Sequence, residues 1–156
     1  MHQQKRADLQ MGFQSENDIH QYLESFFGKL NNTRDCKEYG NYYEFDKFND
    51  NCYIEIKTRN IKHNQYNSLM FGLNKLEKGR ELKKLDPSLR IIYIWRCRDG
   101  IYYWEQDSSP YTIQFSGRTD RGKDERSNLV HIATENIKNI CDFCSLENDN
   151  QDAKTD

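Results

Sequence analysis

Between Phe45 and Arg59 the chain reads FDKFNDNCYIEIKTR, two short arms around an FNDN turn, with a glutamate and a lysine inside the second arm. Side chains alternate between faces along a strand, so this segment can fold as a hairpin only in a register that gathers its apolar residues on one side. A two-residue turn at Asn49-Asp50 pairs Phe48 with Asn51. Residues directly opposite each other on antiparallel strands point to the same face. Asp46 then lies opposite Tyr53 and shares a face with Glu55 and Lys57, while Tyr43, Phe45, Ile54 and Ile56 share the other. A one-residue slip would scatter both sets.

Two carboxylates converging with an ammonium at one end of a sheet repel each other unless something compensates them, and a divalent cation does so. Oxygen ligands of this kind suit Mg²⁺, with Mn²⁺ able to substitute. Mg²⁺ binds through one or two carboxylates, keeps several waters and accepts phosphate oxygens as further ligands. Lys57 beside it can hold an attacking water and stabilise charge developing on phosphorus.

The flanking elements supply a frame for such a site. Ser15 with Asp18 three residues on resembles a capping box, and Ile19, Leu23, Phe26, Phe27 and Leu30 follow at helical spacing. The pattern predicts a helix over about residues 15–28, stopped at Gly28. Residues 38–48 and 52–58 read as strands. A second helix is predicted over about 66–85, with Leu69, Met70, Leu73, Leu76, Leu82 and Leu85 inward and a stop at Asp86-Pro87. RIIYIWRCRDGIYYWEQ reads as another hairpin, with Asp99-Gly100 supplying the positive φ angles of its turn; YTIQF and NLVHI are further strands, and Thr134 caps a short helix ending near Cys141. The expected class is α/β or layered α+β, a mixed central sheet flanked by helices, in one domain over 13–144. Residues 1–12 read as a flexible tail and 145–156 as an acidic, disordered one.

With 31% charged residues and no apolar run near the roughly 20 residues of a membrane span, a soluble protein is expected. The start, MHQQKRADLQ, lacks the apolar segment of a secretory leader. Five cysteines form an odd, scattered set that suits a reducing, intracellular compartment, and the CDFC pair, with no second pair or neighbouring histidine, reads as free thiols rather than a zinc site. The net charge of −2 is unevenly spread. Residues 142–156 carry five acidic groups against one lysine, whereas 57–84 hold eight basic groups against two acidic ones. That basic block is the candidate polyanion surface, with a solvated helix face as the alternative.

Through Asp46 and the triplet Glu55-Ile56-Lys57, the sequence resembles the PD-(D/E)xK phosphodiesterase superfamily over about residues 13–97, although Phe45 stands where the motif has proline. The resemblance implies a restriction-endonuclease-like core and an acidic residue on the first helix, a place that Glu16 fills. Asp46, Glu55 and Glu16 would then be metal ligands and Lys57 would position water. NQYNSLMFGLNK, DGIYYW and GRTDRGKDE further resemble nuclease-like proteins of large DNA viruses and phages. The implied protein is a metal-dependent nuclease, endonucleolytic in preference to exonucleolytic and acting on DNA in preference to RNA, in the cytoplasm or in the nucleoid or nucleus of a host cell. A homodimer is compatible with its size. Candidate nucleic-acid contacts are Arg59, Lys62, His63, Lys75 and Lys78 in the basic block, with Arg118, Arg121 and Lys123 on a glycine-containing loop. The bland readings are a solvated His63 and a salt-bridged loop, since Asp120, Asp124 and Glu125 nearly balance the loop's cations. The alternative from another class is a non-catalytic nucleic-acid-binding or assembly protein on the same scaffold.

Overall fold

The computed structural model describes residues 15–40, 42–117, 119, 122 and 126–143. Helix α1 (Glu16–Phe27) begins and ends as its sequence predicts. Ser15 Oγ accepts the Asp18 N–H at 3.2 Å, and Gly28, at φ 81°, closes the last turn with its N–H on Glu24 O at 2.9 Å. A large sheet follows, built from β1 (Asn31–Asn32), β2 (Lys47–Phe48), β3 (Cys52–Thr58), β5 (Arg90–Cys97), β6 (Gly100–Glu105) and β9 (Lys138–Asn139), in the order β1-β2-β3-β5-β6-β9. Its neighbours pair antiparallel except β3 and β5, which run parallel. Parallel neighbours need a crossover. Here β4 (Ser68–Gly72) and helix α2 (Leu73–Leu85) supply it. A second sheet, β4-β8-β7, adds β7 (Thr112–Ser116) and β8 (Ser127–Ala133).

The large sheet is covered on both faces. Ile19, Leu23 and Phe27 of α1 pack with Ile54, Ile92 and Ile94 on one side. On the other, Tyr93, Trp95 and Trp104 pack with Leu69 and Phe71 of β4, Leu76 of α2, and Val130 and Ile132 of β8. Phe71 stacks on Tyr93 with ring centres 3.8 Å apart. Double coverage explains why Ile91 to Trp95 form an unbroken apolar run, because a strand buried on both faces has no solvent side to mark with polar residues.

Several expectations are corrected in detail. Residues 38–48 do not form the expected strand: among the described residues of this range only Lys47–Phe48 pair, and a short 3-10 turn at Thr33–Asp35 and further bends precede them. The hairpin turns at Asp50-Asn51, one residue later than expected, because Asn49 Oδ1 accepts the backbone N–H groups of both Asn51 and Cys52. The shift moves each partner by two positions, so face parity survives: Lys47 opposes Ile54 and Phe48 opposes Tyr53. Tyr43 and Phe45, however, pack on Tyr53 rather than with Ile54 and Ile56, since the chain kinks at Asp46, whose N–H still bonds Ile54 O at 2.8 Å beside Lys47, the regular partner of Ile54.

The helix expected over 66–85 divides. Ser68–Gly72 alternates buried Leu69 and Phe71 with half-exposed neighbours and forms β4, so α2 begins only at Leu73; Leu85, expected inward, is exposed. The second hairpin turns through Arg98-Asp99, with a positive φ at Gly100 and none at Asp99. Beyond Thr134 there is no α-helix among the described residues, only two 3-10 turns around β9, and the Thr134 side chain caps nothing.

Gly79 sets how closely α2 approaches the sheet. A Cβ there would overlap Gln106 Oε1, and Gln106 is buried, accepting from Tyr93 Oη at 2.8 Å and donating to Leu76 O at 3.2 Å. Gly79→Ala is expected to destabilise the fold by about 1–3 kcal/mol through overpacking. That outweighs the roughly 1 kcal/mol that alanine contributes to an isolated helix. Urea unfolding checks it; a more stable variant would mean that Gln106 can swing aside.

Candidate active site

The departure of the chain from β2 builds the site. Thr33 is buried, donates its Oγ1–H to Phe45 O at 2.6 Å and its backbone N–H to Asp46 O at 3.0 Å, and so holds the chain at the bend just before Lys47. The Ile56 N–H faces that bend. Asp46 Oδ2 accepts it at 2.8 Å, which fixes the aspartate against β3 just where Glu55 and Lys57 emerge.

Glu55 is 7% exposed. Its Oε1 lies 3.8 Å from Lys57 Nζ, and its Oε2 lies 3.5 Å from Lys75 Nζ, which α2 brings over the sheet. Burial pushes the Glu55 carboxyl up to about 6, the Asp46 charge adds to the rise, and the two lysines oppose it without cancelling it. Lys57 is shifted downwards, chiefly by burial and against the pull of Glu55. In formal charge the two carboxylates and two ammoniums balance, so what disfavours the ionised Glu55 is chiefly the loss of water around it and then the neighbouring Asp46. A divalent ion on the two carboxylates would replace that lost solvation.

Glu16 occupies the first turn of α1. Its carboxylate is largely exposed and lies 3.0 Å from the Arg34 guanidinium. Both residues line a cleft of about 290 Å³ whose walls also include Asp46, Lys47, Thr58 and Arg96. Lys47 is buried there, bonded to His20 Nδ1 at 2.6 Å and Asn32 Oδ1 at 2.7 Å, with burial the main cause of its lowered pKa. Asp46 thus borders two environments: the Glu55 cluster on one side and the cleft with Glu16 on the other. Among the described residues, no three His, Cys, Asp or Glu side chains converge closely enough to hold a metal by themselves.

The other candidate residues are distributed as follows. Lys75 belongs to the Glu55 cluster. Lys78 lies 3.6 Å from Glu81 and over the Tyr43 ring, and farther along α2 Lys83 pairs with Asp107 while Arg80 donates to Tyr111 Oη. Arg59 and Lys62 are exposed beyond the end of β3. His63 is not a freely solvated loop residue: its Nδ1 lies 2.5 Å from Asp99 Oδ2, its backbone N–H donates to Asp99 Oδ1, and its ring stacks on Tyr102. Burial alone would raise the Asp99 carboxyl, but the bonds from His63 prevail and hold it below its ordinary value. The pair pins the loop after β3 to the β5–β6 turn. Arg118, Arg121 and Lys123 lie outside the described residues, as does Cys144 of the CDFC pair; Cys36, Cys52, Cys97 and Cys141 are free thiols.

Sequence patterning missed the placement of Lys75 on Glu55, the roles of Thr33 and Lys47, and the Arg34–Glu16 pair. Lys75 stood inside a basic block that masked its individuality. Thr33 and Arg34 carry no pattern, because they act through a turn between elements.

A mixed sheet with α1 on one face and the β4–α2 crossover on the other is an α+β architecture of the restriction-endonuclease-like class, the fold implied by Asp46 and Glu55-Ile56-Lys57. The chain belongs to the family described as "Phage putative PDDEXK endonuclease", which it matches over residues 3–140. No curated protein and no solved structure is significantly similar to it. Among the described residues, no helix is long and apolar enough to cross a membrane.

Proposed function

We propose that the protein is a Mg²⁺-dependent endonuclease that hydrolyses DNA phosphodiester bonds by in-line attack of water, with Mn²⁺ able to replace Mg²⁺. The observation that carries this reading is the Glu55 carboxylate, buried beside Asp46 with a lysine on each of its oxygens and raised chiefly by that burial. An ion of this kind is held by a small number of carboxylates and fills its remaining positions with water and substrate phosphate, so a pair already in place is enough to seat it. Asp46 and Glu55 would hold it, with Glu16 joining from the cleft wall. When bound, the ion supplies Lewis-acid polarisation of the phosphate and a lowered pKa for water.

The chain's own groups do the rest. Lys57 orients the attacking water and stabilises the charge developing on phosphorus. Lys75 holds the second Glu55 oxygen and keeps the carboxylate turned toward Asp46. As a member of a phage endonuclease family, the protein would meet its substrate inside a host cell. Incubating the purified protein with duplex DNA, with and without Mg²⁺, tests the reading. Binding without cleavage at any Mg²⁺ or Mn²⁺ concentration would make the protein a non-catalytic nucleic-acid-binding member of its family.

Lys75→Met separates the cluster from the basic face of α2. Loss of the cation on Glu55 is expected to lower the maximal rate on saturating DNA by about 10- to 100-fold, as for a group that orients a metal ligand. The salt dependence of binding should barely change, because Lys75 is committed to Glu55 rather than to phosphate. A weaker, less salt-dependent affinity at unchanged maximal rate would return Lys75 to the nucleic-acid surface.

A further inference from the structure

The free protein holds Glu16 on a cation of its own. The Glu16–Arg34 contact, 3.0 Å long, joins two largely exposed side chains, 75% and 64% exposed respectively. Exposed ion pairs of this sort shift an equilibrium by roughly fivefold at most. Each partner has a stronger alternative. A guanidinium matches two phosphate oxygens with parallel N–H donors, and a carboxylate binds a divalent cation. Both alternatives meet in the same cleft, because its walls carry Arg34, Lys47 and Arg96 as cations, with Asp46 on its border. Lys47 is buried beside Arg34 and repels it, so Arg34 keeps its need for an anion once Glu16 leaves.

Building on the nuclease reading above, we propose that Arg34 exchanges Glu16 for a backbone phosphate of the substrate, and that the released Glu16 carboxylate turns along the cleft toward Asp46 to complete the metal site. Arg34 is then a substrate-binding residue and Glu16 a ligand available only when nucleic acid is present. This accounts for the absence of a three-carboxylate cluster among the described residues of the free protein. By linkage, metal and nucleic acid must each tighten the binding of the other by the same factor. The exchange also guards the chemistry, because the full ligand set assembles only around a seated strand.

Calorimetric titration of Mn²⁺ into the protein, with and without a duplex made uncleavable by phosphorothioate linkages, tests the exchange. Wild type is expected to bind Mn²⁺ about tenfold more tightly when the duplex is bound. In Arg34→Ala the metal-free protein should bind the duplex more weakly, with a salt slope shallower by about one unit, and the coupling to Mn²⁺ should shrink. In Glu16→Gln, freeing Arg34 should tighten duplex binding several-fold without metal, and the coupling should vanish. If the pair is only a structural tie, both variants will melt earlier and bind the duplex with wild-type affinity and salt slope, which overturns the proposal. Weaker duplex binding by Glu16→Gln overturns it too. Because nothing is cut in these titrations, a wild-type protein that binds cooperatively but never cleaves DNA refutes the nuclease reading alone, and an active enzyme without coupling refutes the exchange alone.

Discussion

Glu55→Gln is expected to reduce Mg²⁺-dependent cleavage by about 10³-fold or more, the order of losing a group that acts directly on the charge at the reacting centre, and at the same time to make the metal-free protein more stable at pH 8. The second effect follows from where Glu55 titrates. Its carboxyl is raised in the fold to about 6 from an ordinary 4.5. The folded form therefore binds the proton more tightly than the unfolded chain does. The resulting stabilisation is complete below pH 4.5 and is lost as pH rises through 6. Above that window, keeping Glu55 ionised and buried costs about 2 kcal/mol. Glutamine preserves shape without the charge, so the variant should match wild type near pH 4 and exceed it at pH 8. Thermal unfolding of the metal-free proteins across this range measures the difference. A variant that parallels wild type at every pH would show that Glu55 is compensated by Lys57 and Lys75, removing the reason for a cation at the site.

The same electrostatics predicts how metal affinity depends on pH. Only the ionised carboxylate is a good ligand, so binding of Mn²⁺ should strengthen as pH rises through about 6 and level off above it. Stability and metal affinity should thus change in opposite directions over one window.

The elements that were legible from sequence are those whose determinants lie within a few residues. Ser15 and Gly28 bound α1 because a hydroxyl beside the first turn and a residue tolerant of positive φ at the last are local requirements. Glu55 and Lys57 could be assigned to one face of β3 because parity is insensitive to a two-position shift in pairing, which is the shift that the Asn49 side chain imposes, whereas Asp46 lies outside the paired residues and reaches β3 through its bond from the Ile56 N–H. Where determinants are distant, the reading failed. Leu69, Met70 and Leu73 fit a helical spacing while Leu69 and Phe71 fit a strand's alternation, and only pairing with β8 decides for a strand. Phe45 left its expected face because Thr33, twelve residues earlier, captures its carbonyl.

The site shows the same division. Charge composition marked residues 57–84 as a block, but a block has no geometry. The fold spends its members differently, with Lys75 on Glu55, Lys78 beside Glu81 and Lys83 on Asp107. His63 reads in sequence as a loop histidine, yet Asp99, which holds it, lies across a β-hairpin that no local pattern connects to it. Such partners become visible only when the parallel pair β3–β5 brings the end of one strand beside the turn that follows the other.

Asp46→Asn isolates the coupling between the two carboxylates that the proposed metal site requires. Asparagine keeps an oxygen that can accept the Ile56 N–H, so the anchoring to β3 should persist and the cost in stability at low pH should be below about 1 kcal/mol. What disappears is the like charge, the second-largest cause of the Glu55 shift. The Glu55 carboxyl should therefore return part of the way toward its ordinary value, and the window over which the metal-free protein loses stability with rising pH should narrow and move to lower pH. Cleavage should fall by about 10²- to 10³-fold, and Mn²⁺ binding should weaken at every pH. The stability window is the sharper readout, because it needs neither metal nor substrate. If Asp46→Asn retains the wild-type window, the two carboxylates do not share a field strong enough to call for a cation between them, and Asp46 would keep only its role as the acceptor that ties the chain before β2 to the edge of β3.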